Sequence, residues 1–298
     1  MLLSVFINNN YERDLVMNDK AKVLIIILCC VVSVLFFVVA DWSELKTQTY
    51  QLNSDKLTSH VRIVLISDLH STMYGTDQAE LIGAINKAQP DVILLAGDLF
   101  DVYREHDGAK QLSNAIGKAY QCFYVTGNHE YSCIEFDEML DYFRQCGFTV
   151  LDGDSRLIKV NGQRINICGI SDPIAYLGAS ISPDESTFSW QSVLDRCIKQ
   201  NREIDSYSIL VTHRPERVES YAASGFDLIV AGHAHGGQAR LPGLINGVYA
   251  PNQGLFPNYA GGVYVLTAQT SMVVSRGLCR NVIPRIFNPP ELVIIDID

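Results

Sequence analysis

The sequence predicts an α/β fold, a sandwich of mixed sheets preceded by one transmembrane helix. Three observations carry this expectation. Strand-like apolar runs alternate with helix-forming stretches from residue 61 onward, strands follow one another directly in the second half, and an uncharged apolar run fills residues 23–40. Strands that first alternate with helices and then run in succession argue for mixed sheets over an all-parallel one.

The N-terminal run VLIIILCCVVSVLFFVVA has no polar face at helical spacing. Its length suits a helix crossing a bilayer core of roughly 30 Å. Lys20 and Lys22 precede it, with Arg13 further back, whereas Asp41 and Glu44 follow. The positive-inside tendency then puts the N-terminus in the cytoplasm and everything after Asp41 on the far side. The expected localisation is a single-pass cell-membrane protein with its domain on the non-cytoplasmic side. A cleaved signal peptide fits less well, because no small-x-small site clearly follows the run. The expected division is an N-terminal tail (1–22), a signal-anchor helix (23–40), a linker (41–57) and one globular domain (58–298).

Composition excludes several classes. The chain has 298 residues, 48% of them hydrophobic, and a formal net charge of −10. That is too apolar for a disordered chain, and no Lys/Arg run follows the apolar segment, so nucleic acid is not an expected partner. Six cysteines lie beyond the apolar run, at 122, 133, 146, 168, 197 and 279, none in C-x-x-C spacing. Zinc-ribbon and thioredoxin-type readings fall on that spacing. Disulfides and free buried thiols stay equally open for Cys122 and Cys168.

The elements follow in order. Residues 61–66 read as a buried strand, 79–88 as a helix, 91–96 as a strand, 109–119 as a helix and 122–125 as a strand. Strands over 157–160 and 164–170 flank Asn161-Gly162, a hairpin signal. Further strands are expected at 208–211, 228–230, 263–268, 272–275 and 292–297.

Chemistry concentrates at the ends of these strands. Five short stretches carry ligand-type side chains: Asp68-Leu69-His70, Gly97-Asp98-Leu99-Phe100-Asp101, Gly127-Asn128-His129-Glu130, Thr212-His213-Arg214 and Gly232-His233-Ala234-His235. Five of the seven histidines fall within them, leaving His60 and His106 as satisfied or surface residues. Taken alone, Asp98 could cap a turn and Asn128 could occupy a left-handed one. Each stretch follows a predicted strand, so the loops would converge at the carboxyl ends of neighbouring strands, where open α/β sheets hold ligands. Imidazoles, carboxylates and an amide oxygen without thiolate suit Mn, Fe or Zn ions. Seven donors exceed one ion's needs. Two divalent metal ions roughly 3.5–4 Å apart, sharing a carboxylate, would use them all and clamp the attacking and leaving oxygens of a phosphoryl displacement.

In this combination and order the motifs resemble the calcineurin-like metallophosphoesterase family, from about residue 61 to the end. The resemblance implies a four-layer α-β-β-α sandwich of two mixed sheets. It implies that Asp68, His70, Asp98 and His235 hold one metal, and that Asp98, Asn128, His213 and His233 hold the other, with Asp98 as the bridge. His129 would protonate the leaving oxygen or stabilise phosphoryl charge, with Asp101 orienting it; Glu130 has no assigned role. The apolar run, Gly236-Gly237-Gln238, Ala250-Pro251-Asn252-Gln253-Gly254 and Ser275-Arg276-Gly277-Leu278 are similar to a membrane-anchored bacterial branch. That branch includes phosphodiesterase-type proteins and enzymes cleaving the pyrophosphate of UDP-diacylglucosamine. The implied activity is hydrolysis of a phosphodiester or pyrophosphate in a phosphorylated small-molecule or lipid substrate, with membrane attachment through the N-terminal helix. A phosphomonoesterase is the alternative enzyme. A metal-free scaffold is disfavoured because no ligand of the pattern is missing.

Three features stay open at this level. Arg214 could bind a substrate phosphate or form an ion pair. Gly236-Gly237 permits a tight turn, with direct backbone contact to substrate as the alternative. The Gly- and Pro-rich, apolar segment 241–263 could be a lid, an acyl channel or a meander packed on the core.

Overall fold

The structure, a computed structural model, describes residues 19–40, 43–177, 189–280 and 285–298. The chain divides into two units, Met1–Asp41 and Trp42–Asp298. In the first, helix α1 spans Asp19–Ala40; the expected tail lies outside the described residues as far as residue 18. Among the described residues no helix is long and apolar enough to cross a membrane. This corrects the expected transmembrane anchor, and with it the expected localisation at the cell membrane. Charged Asp19, Lys20 and Lys22 occupy the start of α1, and charge is costly inside a bilayer core.

The second unit holds two six-stranded mixed sheets. In the first sheet the order is β1 (Lys46–Leu52), β14 (Glu291–Ile297), β2 (Val61–Ile66), β3 (Val92–Ala96), β4 (Cys122–Val125) and β5 (Thr149–Val150). Strands β2 to β5 are parallel, and β14 enters antiparallel to β2. In the second sheet the order is β12 (Gly262–Val265), β13 (Ser271–Val274), β9 (Leu228–Ala231), β8 (Tyr207–Val211), β7 (Gln163–Gly169) and β6 (Asp154–Val160). Here β7, β8, β9 and β13 are parallel, with antiparallel strands at both edges.

The strands are apolar on both faces because both faces are covered. Along β2, Val61, Ile63 and Leu65 enter the layer between the sheets, beside Ile209, Val211 and Val230. Val64 and Ile66 point the other way, onto α2 (Ala79–Ala88), α3 (Asp107–Ile116) and α5 (Phe136–Cys146) through Ile85, Ile116 and Phe143. The outer face of the second sheet packs Leu210 and Ile229 against Trp190, Leu194 and Cys197 of α6 (Trp190–Arg202) and Tyr221 of α7 (Val218–Ala222). These three apolar layers make the α-β-β-α order. The Asn161-Gly162 hairpin forms between β6 and β7 with both residues at positive φ, 48° and 86°.

The stretch read as a linker is corrected in part. Lys46–Leu52 is strand β1, parallel to β14, with Gln48, Tyr50 and Leu52 partly covered and the alternate residues exposed. Polar residues at alternate positions mark one-sided burial at a sheet edge, a weak signal in so short a segment.

Candidate metal centre

The five predicted loops leave the carboxyl ends of β2, β3, β4, β8 and β9 and meet. Backbone bonds tie them in sequence: the amides of Asp68 and His70 donate to the carbonyls of Gly97 and Asp98, and Gly232 donates to His213. Asp68, His70, Asp98, His233 and His235 all sit at left-handed φ, between 47° and 64°. Such non-glycine backbone costs of order 1–3 kcal/mol per residue and persists only where the surroundings over-determine it. Gly127 permits a close approach. A Cβ there would lie 2.1 Å from Asp98 Oδ1, where the carboxylate accepts the His129 amide at 2.8 Å.

Four groups of donor atoms result among the described residues, each within 4.8 Å: His70, His235 and Cys279; His70, Asp101 and His129; and two that overlap, Asp68, His70, Asp98 and His235, and Asp98, His213 and His233. Asp98 belongs to both. Its Oδ2 lies 3.2 Å from His213 Nε2 and 3.7 Å from His70 Nε2, and Asp68 Oδ1 lies 3.2 Å from His235 Nε2. Asn128 opens helix α4 (Asn128–Ser132), and its Oδ1 is buried with no hydrogen-bond partner.

The outward ring nitrogens fix the imidazoles. His70 Nδ1 is 3.1 Å from Asp101 Oδ2, His213 Nδ1 is 2.7 Å from the Ala96 carbonyl, and His235 Nδ1 is 3.1 Å from Cys279 Sγ. Those three rings turn Nε2 inward. His233 is reversed: its Nε2 is 2.9 Å from Asn252 Oδ1, and its Nδ1 faces His213 Nε2 at 3.1 Å. Metal-binding histidines characteristically carry such an outer hydrogen bond, which sets tautomer and ring angle.

Burial opposes charge throughout the cluster, yet His213 holds the Asp98 carboxyl well below its usual range, and Asp98 pushes His213 up to about 10. Burial, then the His213 charge, drives His233 down to about 3. Imidazole nitrogens facing each other at 3.1 and 3.3 Å around two buried carboxylates, with an orphaned amide oxygen, are a donor set that fits divalent cations.

Of the non-ligand residues, one pairing differs from expectation. Asp101, expected to orient His129, bonds His70 instead, while its Oδ1 accepts the Tyr103 amide at 2.7 Å. His129 stands edge-on to His70 with ring centroids 4.4 Å apart, and its Nδ1 is buried without a partner. Burial lowers its pKa. Arg214 is in an ion pair: its guanidinium grips both oxygens of Asp172 and also donates to Asn252. Asp172 is a site residue that sequence reasoning misses, although it follows β7 just as the other site residues follow their strands. His60 and His106 lie elsewhere, against Asp298 and Phe100.

Glu130 is a backbone staple. Its carboxylate accepts the amides of Asp98, Leu99, Phe100 and Gly127 at 2.7–3.2 Å, joining the β3 and β4 loops. Burial, then the Asp98 charge, pushes its carboxyl up to about 7 against these four amides. Glu130→Ala should cost about 3 kcal/mol or more, since buried donors left without acceptors cost ~1–3 kcal/mol each. Chemical unfolding of the metal-free protein measures this; an unchanged midpoint would refute the staple.

All eight cysteines are free among the described residues, including buried Cys122 and Cys168. The 241–263 segment folds as a short hairpin of β10 (Tyr249–Ala250) and β11 (Gly254–Leu255). It packs on the turn after His235, where Val248 donates to the Gly237 carbonyl, and it leaves Leu244, Leu255 and Phe256 exposed.

This sandwich and its cluster of imidazoles and carboxylates define a class, the metal-dependent phosphoester hydrolases. The chain belongs to the calcineurin-like phosphoesterase family, whose sequence model matches residues 61–237; that family works with a pair of divalent metals. An uncharacterized metallophosphoesterase of Aquifex aeolicus (strain VF5) is 27% identical over 85% of this chain and 92% of its own length. The Bacillus subtilis (strain 168) metallophosphoesterase YkuE is 30% identical over 78% of this chain and 77% of its own. Among solved structures, a 5′-nucleotidase precursor from Thermus thermophilus aligns with a TM-score of 0.45 and 16% identity, covering 74% of this chain and 49% of that one.

Proposed function

We infer that the protein hydrolyses a phosphodiester or pyrophosphate bond at this centre. The observation that carries the reading is the pair of overlapping donor groups sharing Asp98. One metal would be held by Asp68, His70, Asp98 and His235, the other by Asp98, Asn128, His213 and His233. Bound there, the ions would supply positive charge against the phosphoryl oxygens and activate the attacking water. The protein's own groups do the rest. His129, outside both sets, donates a proton to the leaving oxygen or a hydrogen bond to the phosphoryl group. Asp101 holds His70 in the tautomer that turns Nε2 inward. Arg214, committed to Asp172, positions Asn252 against His233.

A groove whose lining flanks Asp101 and His129 in sequence favours a substrate larger than a monoester. It has a volume of about 840 Å³ and is lined by residues within 100–110 and 132–142, Phe100, Cys133 and Met139 among them. Turnover of bis-p-nitrophenyl phosphate should exceed that of p-nitrophenyl phosphate. The opposite ratio would make the protein a phosphomonoesterase.

An acyl-bearing substrate is a second reading, favoured by exposed Tyr249, Leu255 and Phe256 on the hairpin that carries Asn252. Acylated substrates should then show higher kcat/KM than their deacylated head groups, because remote binding energy is lost on truncation. Equal values would remove this reading.

A further inference from the structure

His235 opens an unusual backbone run. His235, Gly236, Gly237 and Gln238 all have φ between 49° and 65°, in the left-handed region. The run closes a tight turn in which the Gln238 amide donates to the His235 carbonyl at 3.2 Å, but it cannot continue as a helix or strand, so its carbonyls take further donors from elsewhere. Two buried side chains from the segment before β14 meet that need. Arg285 Nη2 donates to the His235 carbonyl at 3.1 Å, and Asn288 Nδ2 donates to the same oxygen at 2.8 Å and to Gln238 O at 3.2 Å. The packing is tight, since a Cβ on Gly236 would lie 2.1 Å from Asn288 Oδ1.

Arg285 reaches a second loop with the same guanidinium. Its Nη1 donates to the carbonyls of Gly277 and Cys279 at 2.9 and 3.1 Å, and Nη2 also donates to Arg276 O. That loop is the support of Asp68. The Leu278 amide bonds the carbonyls of Ser67 and Asp68 at 3.0 and 3.2 Å, and a Cβ on Gly277 would sit 2.7 Å from Asp68 Cβ. Cys279, at the loop's end, also caps His235 Nδ1. One planar fork therefore joins the backbone behind Asp68 to the backbone of His235, whose facing atoms are 3.2 Å apart.

We propose that Arg285 and Asn288 are positioning residues for one half of the metal centre: they hold His235 and Asp68 in register and make no hydrogen bond of their own to Asn128, His213 or His233, which the Asp68 carboxylate meets only through the His233 backbone amide at 3.0 Å. This rests on the ligand sets inferred above. A lysine cannot replace Arg285, because a single ammonium on a flexible stem lacks the rigid fork that spans two loops.

Metal titration by calorimetry on the full chain tests this without an activity assay. Arg285→Lys and Asn288→Ala should each weaken one ion by about 10–100-fold, the range for removing an outer partner of a ligand, and leave the other unchanged. The weakened ion should be the one lost in His235→Ala, so adding Arg285→Lys to His235→Ala should weaken nothing further. Adding it to Asn128→Ala should weaken both. Wild-type affinity at both positions, or equal weakening of both, overturns the proposal. If Arg285→Lys does not fold, Asn288→Ala decides by the same criteria. Retention of both ions by His235→Ala would instead overturn the ligand sets themselves, and the proposal with them.

Discussion

Asp98→Ala is expected to empty both metal positions and to give the largest loss of activity of any single substitution. Asp98 is the one carboxylate common to both donor groups, fully buried, with His213 and His70 on Oδ2 and the His129 amide on Oδ1. Each ion is worth several kcal/mol of charge stabilisation, so losing both should cost about 10³-fold in kcat/KM or more, at 1.36 kcal/mol per decade. Elemental analysis and turnover on one preparation measure both effects. Retention of a full complement of metal in Asp98→Ala would remove Asp98 as the bridge.

His129→Ala should separate chemistry from binding. The ring is within reach of His70 but belongs to neither of the groups that contain Asp98, and its Nδ1 has no protein partner. Its one other grouping, with His70 and Asp101, invites the objection that it is itself a ligand. Loss of a general acid or charge stabiliser should lower kcat by roughly 10²–10⁴-fold with metal content intact. The backbone amide that supports Asp98 survives the substitution. If His129→Ala sheds metal as Asp98→Ala does, the imidazole is a ligand and the acid must be sought elsewhere.

Much of the fold is legible in the sequence because periodicity encodes faces. The runs 61–66 and 292–297 carry apolar residues on both faces, and both are central strands. The Asn161-Gly162 dipeptide fixes its hairpin through positive φ at both residues. Helix α6 escapes a reading by apolar pattern, although Ser189 and Ser192 form a reciprocal cap at its start. Strand β1 reads as linker because its polar residues reflect one exposed face. The apolar run at 23–40 does lie in helix α1, but the membrane crossing expected of it does not stand.

For the site, sequence by itself determined which donor types are present and that they cluster, because each motif directly follows a strand and parallel strands deliver their carboxyl ends to one edge. It also determined the family. Tertiary structure alone decided the pairings: that Asp101 serves His70, that Glu130 staples four amides, that His233 is turned opposite to the other three imidazoles, and that Arg285 reaches back to His235. The reason is one of range. Strand and turn signals act between neighbours along the chain, whereas a ring tautomer is set by whichever atom lies within about 3 Å, and here those atoms come from residues 19 to 117 positions away.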